Sequence, residues 1–194
     1  QISGGYLLGP DVDLTGANLD GMDLRWVNLH GVKSSGISGK PKSLPLDMTL
    51  IKGYLIGPFA DLSGIDISGM DLAFVRLLGV KSGGITGIPK SLSGNLELIN
   101  GYLVGSDVNL HGAKLSGINL RNMDLSDADL SDADLSDADL SDADLEWVKL
   151  QGTNLMGTNL TGVNLTGVQS GAIIGTPASL PAGWQLIDGT LVHQ

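Results

Sequence analysis

Residues 126 to 145 consist of one five-residue word, Ser-Asp-Ala-Asp-Leu, written four times without a change. A period of five fits neither a strand, whose side chains alternate with period 2, nor an α-helix, whose period is 3.6. If the Leu of each word is position i and the Ala is i−2, stepping by five from Ile2 to Ile37 finds an apolar residue at every i−2 position. We therefore predict that each word places two side chains on an inner face and then turns a corner.

The five-residue register is interrupted three times by eight extra residues. The interruptions fall after 8, 16 and 32 words, and the register resumes at Leu50, Leu98 and Leu186. Because these counts are whole multiples of four, we predict that four words close one turn of the chain. We interpret the words that begin the resumed register as ordinary sides of such a turn. Along the third run of sixteen words, the i−2 residues that are not apolar are Thr153 and Thr158.

The pattern A-(D/N)-L-x-x resembles the pentapeptide-repeat family; it occurs as Ala17-Asn18-Leu19, as Ala60-Asp61-Leu62 and in the four identical words. The resemblance implies an all-β fold, a right-handed quadrilateral β-helix, or β-solenoid, with one word on each side. With the word count, it predicts about eight coils of four pentapeptides in a single domain of residues 1–194. Three 8-residue loop insertions are expected to leave one corner, near residues 38–49, 86–97 and 174–185.

The composition argues against an enzyme. The chain has 29 Gly and no Cys, and His30, His111 and His193 are far apart in sequence. We find no G-x-S-x-G elbow, no phosphate loop and no His pair at metal-ligand spacing. We therefore expect no catalytic residues, no cofactor and no metal site. The sequence also lacks an apolar run near the ~20 residues of a membrane span, so no membrane insertion is expected.

The four identical words form one complete predicted turn, whose eight Asp make an acidic belt. Between Asp124 and Glu146 lie 10 of the 21 acidic residues and none of the 11 basic ones. We expect a solvated belt in which the i−1 carboxylates accept corner amides, as in Asx-turns. Stacking of words four apart also predicts Lys149 beside Asp129 and Lys114 beside Asp134. Binding of Ca²⁺ or Mg²⁺ stays open. The belt consists of Asp127, Asp129, Asp132, Asp134, Asp137, Asp139, Asp142 and Asp144.

The interruptions share a P-x-S-L element and are the first candidates for a partner-binding surface. The alternative is that Leu44, Leu92, Leu180 and Trp184 fold back on the helix as staples. Three aromatic residues, Trp26, Phe74 and Trp147, directly precede an i−2 residue and should face outward at corners. The predicted interaction surface comprises Trp26, Phe74, Trp147, Lys42, Lys90 and Trp184.

These patterns favour a non-enzymatic structural or protein-binding rod. Its partner is an unidentified protein or a second copy associated end to end, and no nucleic acid is expected. The alternative is a DNA-mimicking inhibitor or protector of type II topoisomerase (gyrase). DNA mimicry over a ~40 Å rod would need on the order of 24 spread charges, whereas the excess here is confined to one turn. The chain begins at Gln1 inside the repeat and without Met, which suggests a processed or excised fragment. We expect a soluble protein whose compartment the sequence does not determine, with one module of a longer extracellular or cell-surface chain as the candidate context. The sequence leaves open whether the identical words are a natural duplication or an insertion.

Overall fold

The computed structural model describes residues 2–3 and 5–194. The chain divides into two compact units, Gln1–Gly94 and Asn95–Gln194, and each is described here by itself. The expectation of a single domain over residues 1–194 stays a prediction. All regular secondary structure in the described residues is β-structure. Within the same residues there is no helix long and apolar enough to cross a membrane.

Parallel β-bridges between residues four words apart build the second unit. On its first side Asn109 pairs with Asp129 and Asp129 with Lys149, and the column continues through the strand pair β7 and β8 defined below. Each further column begins one word later, and every step within a column again covers four words. Four columns at one-word intervals mean that each turn has four sides, which is a β-helix. The other three columns are Lys114–Asp134–Asn154–Ile174, Asn119–Asp139–Asn159–Ser179 and Asp124–Asp144–Asn164.

The first unit has the same ladders, interrupted once by extra residues. Its first side pairs Asp13 with Lys33 and Asp61 with Lys81, each pair four words apart. Between these pairs, Lys33 is bridged to Asp61, which follows it by four words plus eight residues. The excess shows that eight residues are inserted between these two pairs of turns. The second side contains the pairs Asn18–Ser38 and Asp66–Thr86, and the third side contains Asp23–Ser43 and Asp71–Ser91.

One word shows how the sequence makes a side and a corner. The Asp129 amide donates to the Val108 carbonyl at 2.9 Å, and the Leu130 amide donates to the Lys149 carbonyl at 2.9 Å, so this side bonds to the turns before and after it. The Asp129 carboxylate accepts the Ser131 amide at 3.1 Å. The corner residue Asp132 has φ of 57°, a left-handed conformation that Gly, Asn and Asp adopt most easily.

The interior is a stack of Leu side chains, and this prediction is confirmed. Leu residues at position i of words in both units are at most 2% exposed: Leu14, Leu19, Leu62, Leu110, Leu130 and Leu160. Thr153 and Thr158 also point inward and are fully buried. Their hydroxyls donate at 2.8 Å to the carbonyls of Leu130 and Leu135, so neither buried oxygen lacks a partner.

Residues 2–3 and 5–194 contain ten short strands, and eight of them form antiparallel hairpins: β1 with β2, β3 with β4, β5 with β6, and β9 with β10. The remaining pair, β7 with β8, is parallel. The strands are β1 (Ile2–Ser3), β2 (Tyr6–Leu7), β3 (Thr49–Ile51), β4 (Tyr54–Ile56), β5 (Glu97–Ile99), β6 (Tyr102–Val104), β7 (Lys149–Gln151), β8 (Gln169–Gly171), β9 (Trp184–Ile187) and β10 (Thr190–His193).

The hairpins correct the sequence interpretation of the interruptions. Leu50 lies opposite Leu55 in the β3–β4 hairpin, so these two words fold back on each other and are not successive sides of a turn. The expected loop boundaries shift as well, because Ser38 and Ser43, inside the loop predicted near 38–49, belong to the ladders. The tip of the β3–β4 hairpin is bonded to a turn of the β-helix, because the Ile37 amide donates to the Gly53 carbonyl at 2.9 Å.

Candidate functional site

Three of the almost fully exposed large apolar side chains of the first unit follow its third side, whereas Ile88, which is 84% exposed, follows the second side. Trp26 is 89% exposed, Leu46 87% and Phe74 101%. Trp26 and Phe74 follow the third side at the i+2 position, where the side chain points away from the interior. Leu46 follows the same side one turn after Trp26. We refer to Trp26, Leu46 and Phe74 as the aromatic corner.

A groove of about 300 Å³ lies next to Trp26 and joins it to the segment that leads into the β3–β4 hairpin. An ion pair of 3.2 Å between Arg76 and Asp47 brings the segment after Phe74 beside the segment that contains Leu46. The aromatic corner therefore involves parts of the chain that are far apart in sequence. The groove is lined by Arg25, Trp26, Val27, Asn28, Leu29, His30, Pro45, Leu46, Met48 and Pro58.

The carboxylates on the adjoining third side are held by internal hydrogen bonds. Asp23 accepts the hydroxyl of Ser43, which is the main cause that lowers the pKa of this carboxyl group. Asp71 accepts the hydroxyl of Ser91 in the same way, and this bond, followed by one from Lys90, lowers the pKa of Asp71 to about 2. Both carboxylates are therefore ionised at neutral pH.

The serine of the P-x-S-L element donates a hydrogen bond to the neighbouring turn of its unit. Ser43 and Ser91 bond to the carboxylates four words before them, and in the second unit the Ser179 hydroxyl donates to the Asn159 side chain at 2.6 Å. The leucines that follow these serines, Leu44, Leu92 and Leu180, are half-buried. This arrangement favours the staple interpretation over a row of free loops.

The predicted interaction residues are divided between the two units. Lys42 and Lys90 lie on the third side of the first unit, near the aromatic corner, and both are exposed. Trp147 belongs to the second unit, where it is 53% exposed, has φ of 57° and lies over Gly167. Trp184 is half-buried and makes an edge contact with His193 at a ring distance of 5.2 Å.

The acidic belt of the second unit contains two kinds of Asp. The corner residues Asp127, Asp132, Asp137 and Asp142 are exposed and have φ between 57° and 61°. The ladder residues Asp129, Asp134, Asp139 and Asp144 are half-buried. Each ladder carboxylate accepts a bond from the side chain four words later, at 2.9 to 3.2 Å; the donors are Lys149, Asn154, Asn159 and Asn164.

Hydrogen bonds lower the pKa of three ladder carboxylates of the belt, those of Asp129, Asp134 and Asp139. The hydroxyls of Ser136 and Ser141 are the main cause of the lowered pKa of Asp134 and Asp139. Burial alone would raise the pKa of Asp129, but bonds from Ser131 and Lys149 outweigh it, and the pKa is lowered. Asp129, Asp134 and Asp139 therefore serve as ionised acceptors within the fold. In the part of the chain that the structure describes, no group of three or more His, Asp or Glu is arranged to hold a metal ion.

Corner carboxylates of the belt have partners in the preceding turn. Arg121 pairs with Asp142 at 2.9 Å, and His111 lies 3.8 Å from Asp132. Lys114 lies beside Asp134 in the ladder, as the register predicted. All these side chains are near the surface, where an isolated ion pair contributes only about 0.2 to 1 kcal/mol.

The sequence analysis missed Leu46, Arg25 and Arg76 as parts of the candidate surface. A signal for Leu46 was present, because it lies four words after Trp26, and Phe74 follows it by four words plus an insertion of eight. These are the two spacings that the ladders of the first unit use.

The comparison with known families agrees with this register. The model of pentapeptide repeats matches eight copies, in residues 11–33, 106–142 and 138–169. The chain belongs to the pentapeptide-repeat family. Among solved structures, the crystal structure of alr5209, a pentapeptide repeat protein from Nostoc Pcc 7120, is 32% identical over 41% of this chain and 74% of that one, with a TM-score of 0.21.

Two further pentapeptide-repeat structures are similar, each with 22% identity. HetL, a protein involved in heterocyst differentiation regulation from the cyanobacterium Nostoc sp. strain PCC 7120, matches over 94% of this chain and 90% of its own, with a TM-score of 0.30. Rfr23 from the cyanobacterium Cyanothece 51142 matches over 62% and 89%, with a TM-score of 0.21. No curated protein matches the sequence significantly.

Proposed function

We propose that this pentapeptide-repeat protein is a non-enzymatic, protein-binding scaffold and that the aromatic corner is its binding surface. The exposure of Trp26, Leu46 and Phe74 along one corner, beside a groove of about 300 Å³, is the observation that carries the proposal. Contiguous exposed apolar side chains rimmed by polar residues are typical of interaction sites. Aromatic residues are also enriched among those that dominate binding energy.

The scaffold in this proposal is a right-handed quadrilateral β-helix of about eight turns. The ladder spacing of residues in each unit supports four words per turn. In the first unit the β3–β4 hairpin follows the third side, and in the second unit the β9–β10 hairpin does so too. The proposal therefore replaces two of the expected loops with hairpins, each of which leaves after the third side of its own unit.

The engagement of the polar side chains supports a role without catalysis. The Ser and Asp residues of the third side bond to each other within the ladder, as Ser43 does with Asp23. A nucleophile needs a free base within hydrogen-bond reach and a site for substrate, and these serines are donors to ionised carboxylates. End-to-end self-association stays a separate prediction.

The charge distribution gives the alternative of DNA mimicry less support. The first unit has eight acidic and eight basic residues, whereas the second has 13 acidic and three basic ones. DNA carries about one charge per ~1.7 Å along its whole axis. A DNA mimic would need its negative charges in both units.

A selection from a random peptide library displayed on phage tests the proposal. The full chain is the bait, and each selected peptide is afterwards tested for binding to the double variant W26S/F74S. Both side chains are exposed, so the double variant should fold like the parent. We expect peptides that bind the parent and the control variant W147S but not the double variant. If every selected peptide binds W26S/F74S equally well, the aromatic corner is not the binding surface.

A further inference from the structure

We infer that the aromatic corner binds an extended acidic segment of another protein, one that carries apolar anchor residues between its carboxylates. This inference rests on the proposed function and adds the chemistry of the partner. It follows from the difference between the basic and the acidic side chains that surround Trp26, Leu46 and Phe74.

The carboxylates around the corner are already engaged. Asp23 accepts the Ser43 hydroxyl and the Arg25 amide, the latter at 3.3 Å. Asp71 accepts the hydroxyl of Ser91 and the ammonium of Lys90. Lone pairs that accept internal hydrogen bonds are poorly available to a cationic partner, so a basic segment gains little here.

The basic groups keep most of their donors. The Arg25 side chain is 54% exposed, and its contact with Asp23 is long, at 3.5 Å. The Arg76 side chain is 64% exposed and contacts Asp47 through one nitrogen at 3.2 Å. A guanidinium has five N–H donors, so each Arg can bind a further carboxylate without breaking its present pair. Lys42 is exposed on the same side and adds a third cation.

The dimensions of the corner fit an extended segment. Neighbouring turns of a β-helix are ~4.8 Å apart, so the three turns that carry the corner span about 10 Å. An extended chain rises about 3.3 Å per residue and turns alternate side chains to one face. Two apolar residues at positions i and i+2 of the partner can therefore contact the corner, while acidic residues before and after them reach Arg25 and Lys42.

A second copy of this chain is a less suitable occupant, although its acidic belt has the required charge. The exposed belt carboxylates alternate with Ser, Ala and Leu, and the Ala and Leu of the belt are buried in the interior. The belt therefore presents carboxylates without apolar anchors. An acidic segment of a different protein can present both.

Three fluorescein-labelled peptides, each seven amino acids long, test the inference by anisotropy with the full chain. DEFDLED has carboxylates and apolar anchors, DESDSED lacks the anchors, and KKFKLKK has the opposite charge. We expect DEFDLED to bind at least tenfold more tightly than either of the others, with an affinity that falls several-fold between low and high salt. The double variant R25Q/K42Q should weaken DEFDLED by five- to tenfold, and W26S/F74S by at least tenfold. K114Q in the second unit is the matched control and should have no effect.

The outcomes separate this inference from the proposed function. If the phage selection yields peptides that require Trp26 and Phe74 but are basic or uncharged, and KKFKLKK binds as well as DEFDLED, the corner is a binding surface and the acidic partner is wrong. If no selected peptide depends on these two residues, both ideas fail. Light scattering tests whether a second copy of this chain occupies the corner. If the parent is a dimer and W26S/F74S is a monomer, the corner binds a second copy and the inference is wrong.

Discussion

Deleting residues 126 to 145 removes one complete turn of the second unit and leaves every later residue on its side. Leu125 then joins Glu146, and the Lys149 amide can donate to the Val108 carbonyl in place of Ala128. The Thr153 hydroxyl, which now bonds to Leu130, would find the Leu110 carbonyl at the same place in the ladder. The interior pairs that result, such as Val108 with Val148, have compatible sizes, so no overpacking is expected.

The cost of this deletion comes from the surface. The ion pairs Lys149–Asp129 and Arg121–Asp142 are lost, as are the bonds from Asn154 to Asp134 and from Asn159 to Asp139. At about 0.2 to 1 kcal/mol each, these surface contacts sum to about 2 kcal/mol. For a chain of this size, 1 kcal/mol corresponds to roughly 2 to 4 °C, so the melting midpoint should fall by about 4 to 8 °C.

A deletion of residues 126 to 138 is the contrasting variant, because it does not remove a whole number of words. It leaves the chain out of the five-residue phase, so that Leu140 and Leu145, which are fully buried, move to corners. Exposing two Leu side chains costs about 3 to 6 kcal/mol in the first turn alone, and the later words suffer the same shift. Circular dichroism melts compare the two variants. Similar unfolding curves for both would refute the four-word turn.

Three other predictions test packing, the buried hydroxyls and acid stability. Gly57→Ala should lower the free energy of unfolding by about 1 to 3 kcal/mol in denaturant melts, because the added Cβ would lie 2.8 Å from the Asp47 carbonyl oxygen. The control Gly9→Ala should be nearly neutral, because its Cβ would meet nothing within 4 Å. Thr153→Val keeps the shape but loses an interior hydrogen bond, so we expect a loss of about 1 kcal/mol; an unchanged stability would show that the bond contributes nothing. The pKa of Asp71 is lowered to about 2, so this carboxylate stabilises the fold above its usual pKa near ~3.9, and that contribution is lost as the pH falls toward 2. An NMR titration should show the low midpoint in the parent and a higher one in Ser91→Ala.

The β-helical register could be predicted because the residue types within a word indicate which positions face the interior. An apolar i−2 residue, a polar i−1 residue and a Leu recur in most words, so the buried Leu and the exposed corner Asp follow directly. Trp26 and Phe74 were placed correctly at corners for the same reason. Leu46 was missed because it lies in the interruption, where the five-residue phase no longer indicates a direction.

The hairpins were not predicted, and the reason is geometric. In the β3–β4 hairpin, Leu50 and Leu55 form the second pair beyond the two-residue turn. They are five residues apart, which equals one step of the pentapeptide register. The apolar pattern therefore continues through the hairpin without a visible change. Asn100-Gly101 and Asp188-Gly189 were the available signals, because such dipeptides favour turns with two positive φ angles. These residues have φ of 49° and 79°, and of 47° and 73°.

The same hairpins give the β-helix places where folding can begin. Partners in the β3–β4 hairpin are at most seven positions apart, whereas ladder partners are separated by four words or more. Loop-closure entropy makes the ladder contacts slower to form, while a hairpin closes in about 1 to 10 μs. Because the Gly53 carbonyl at the hairpin tip accepts the Ile37 amide, a hairpin that has formed already offers a bonding edge to the neighbouring turn. We therefore expect the insertions that interrupt the repeat to fold first, so that the turns on either side are added to them.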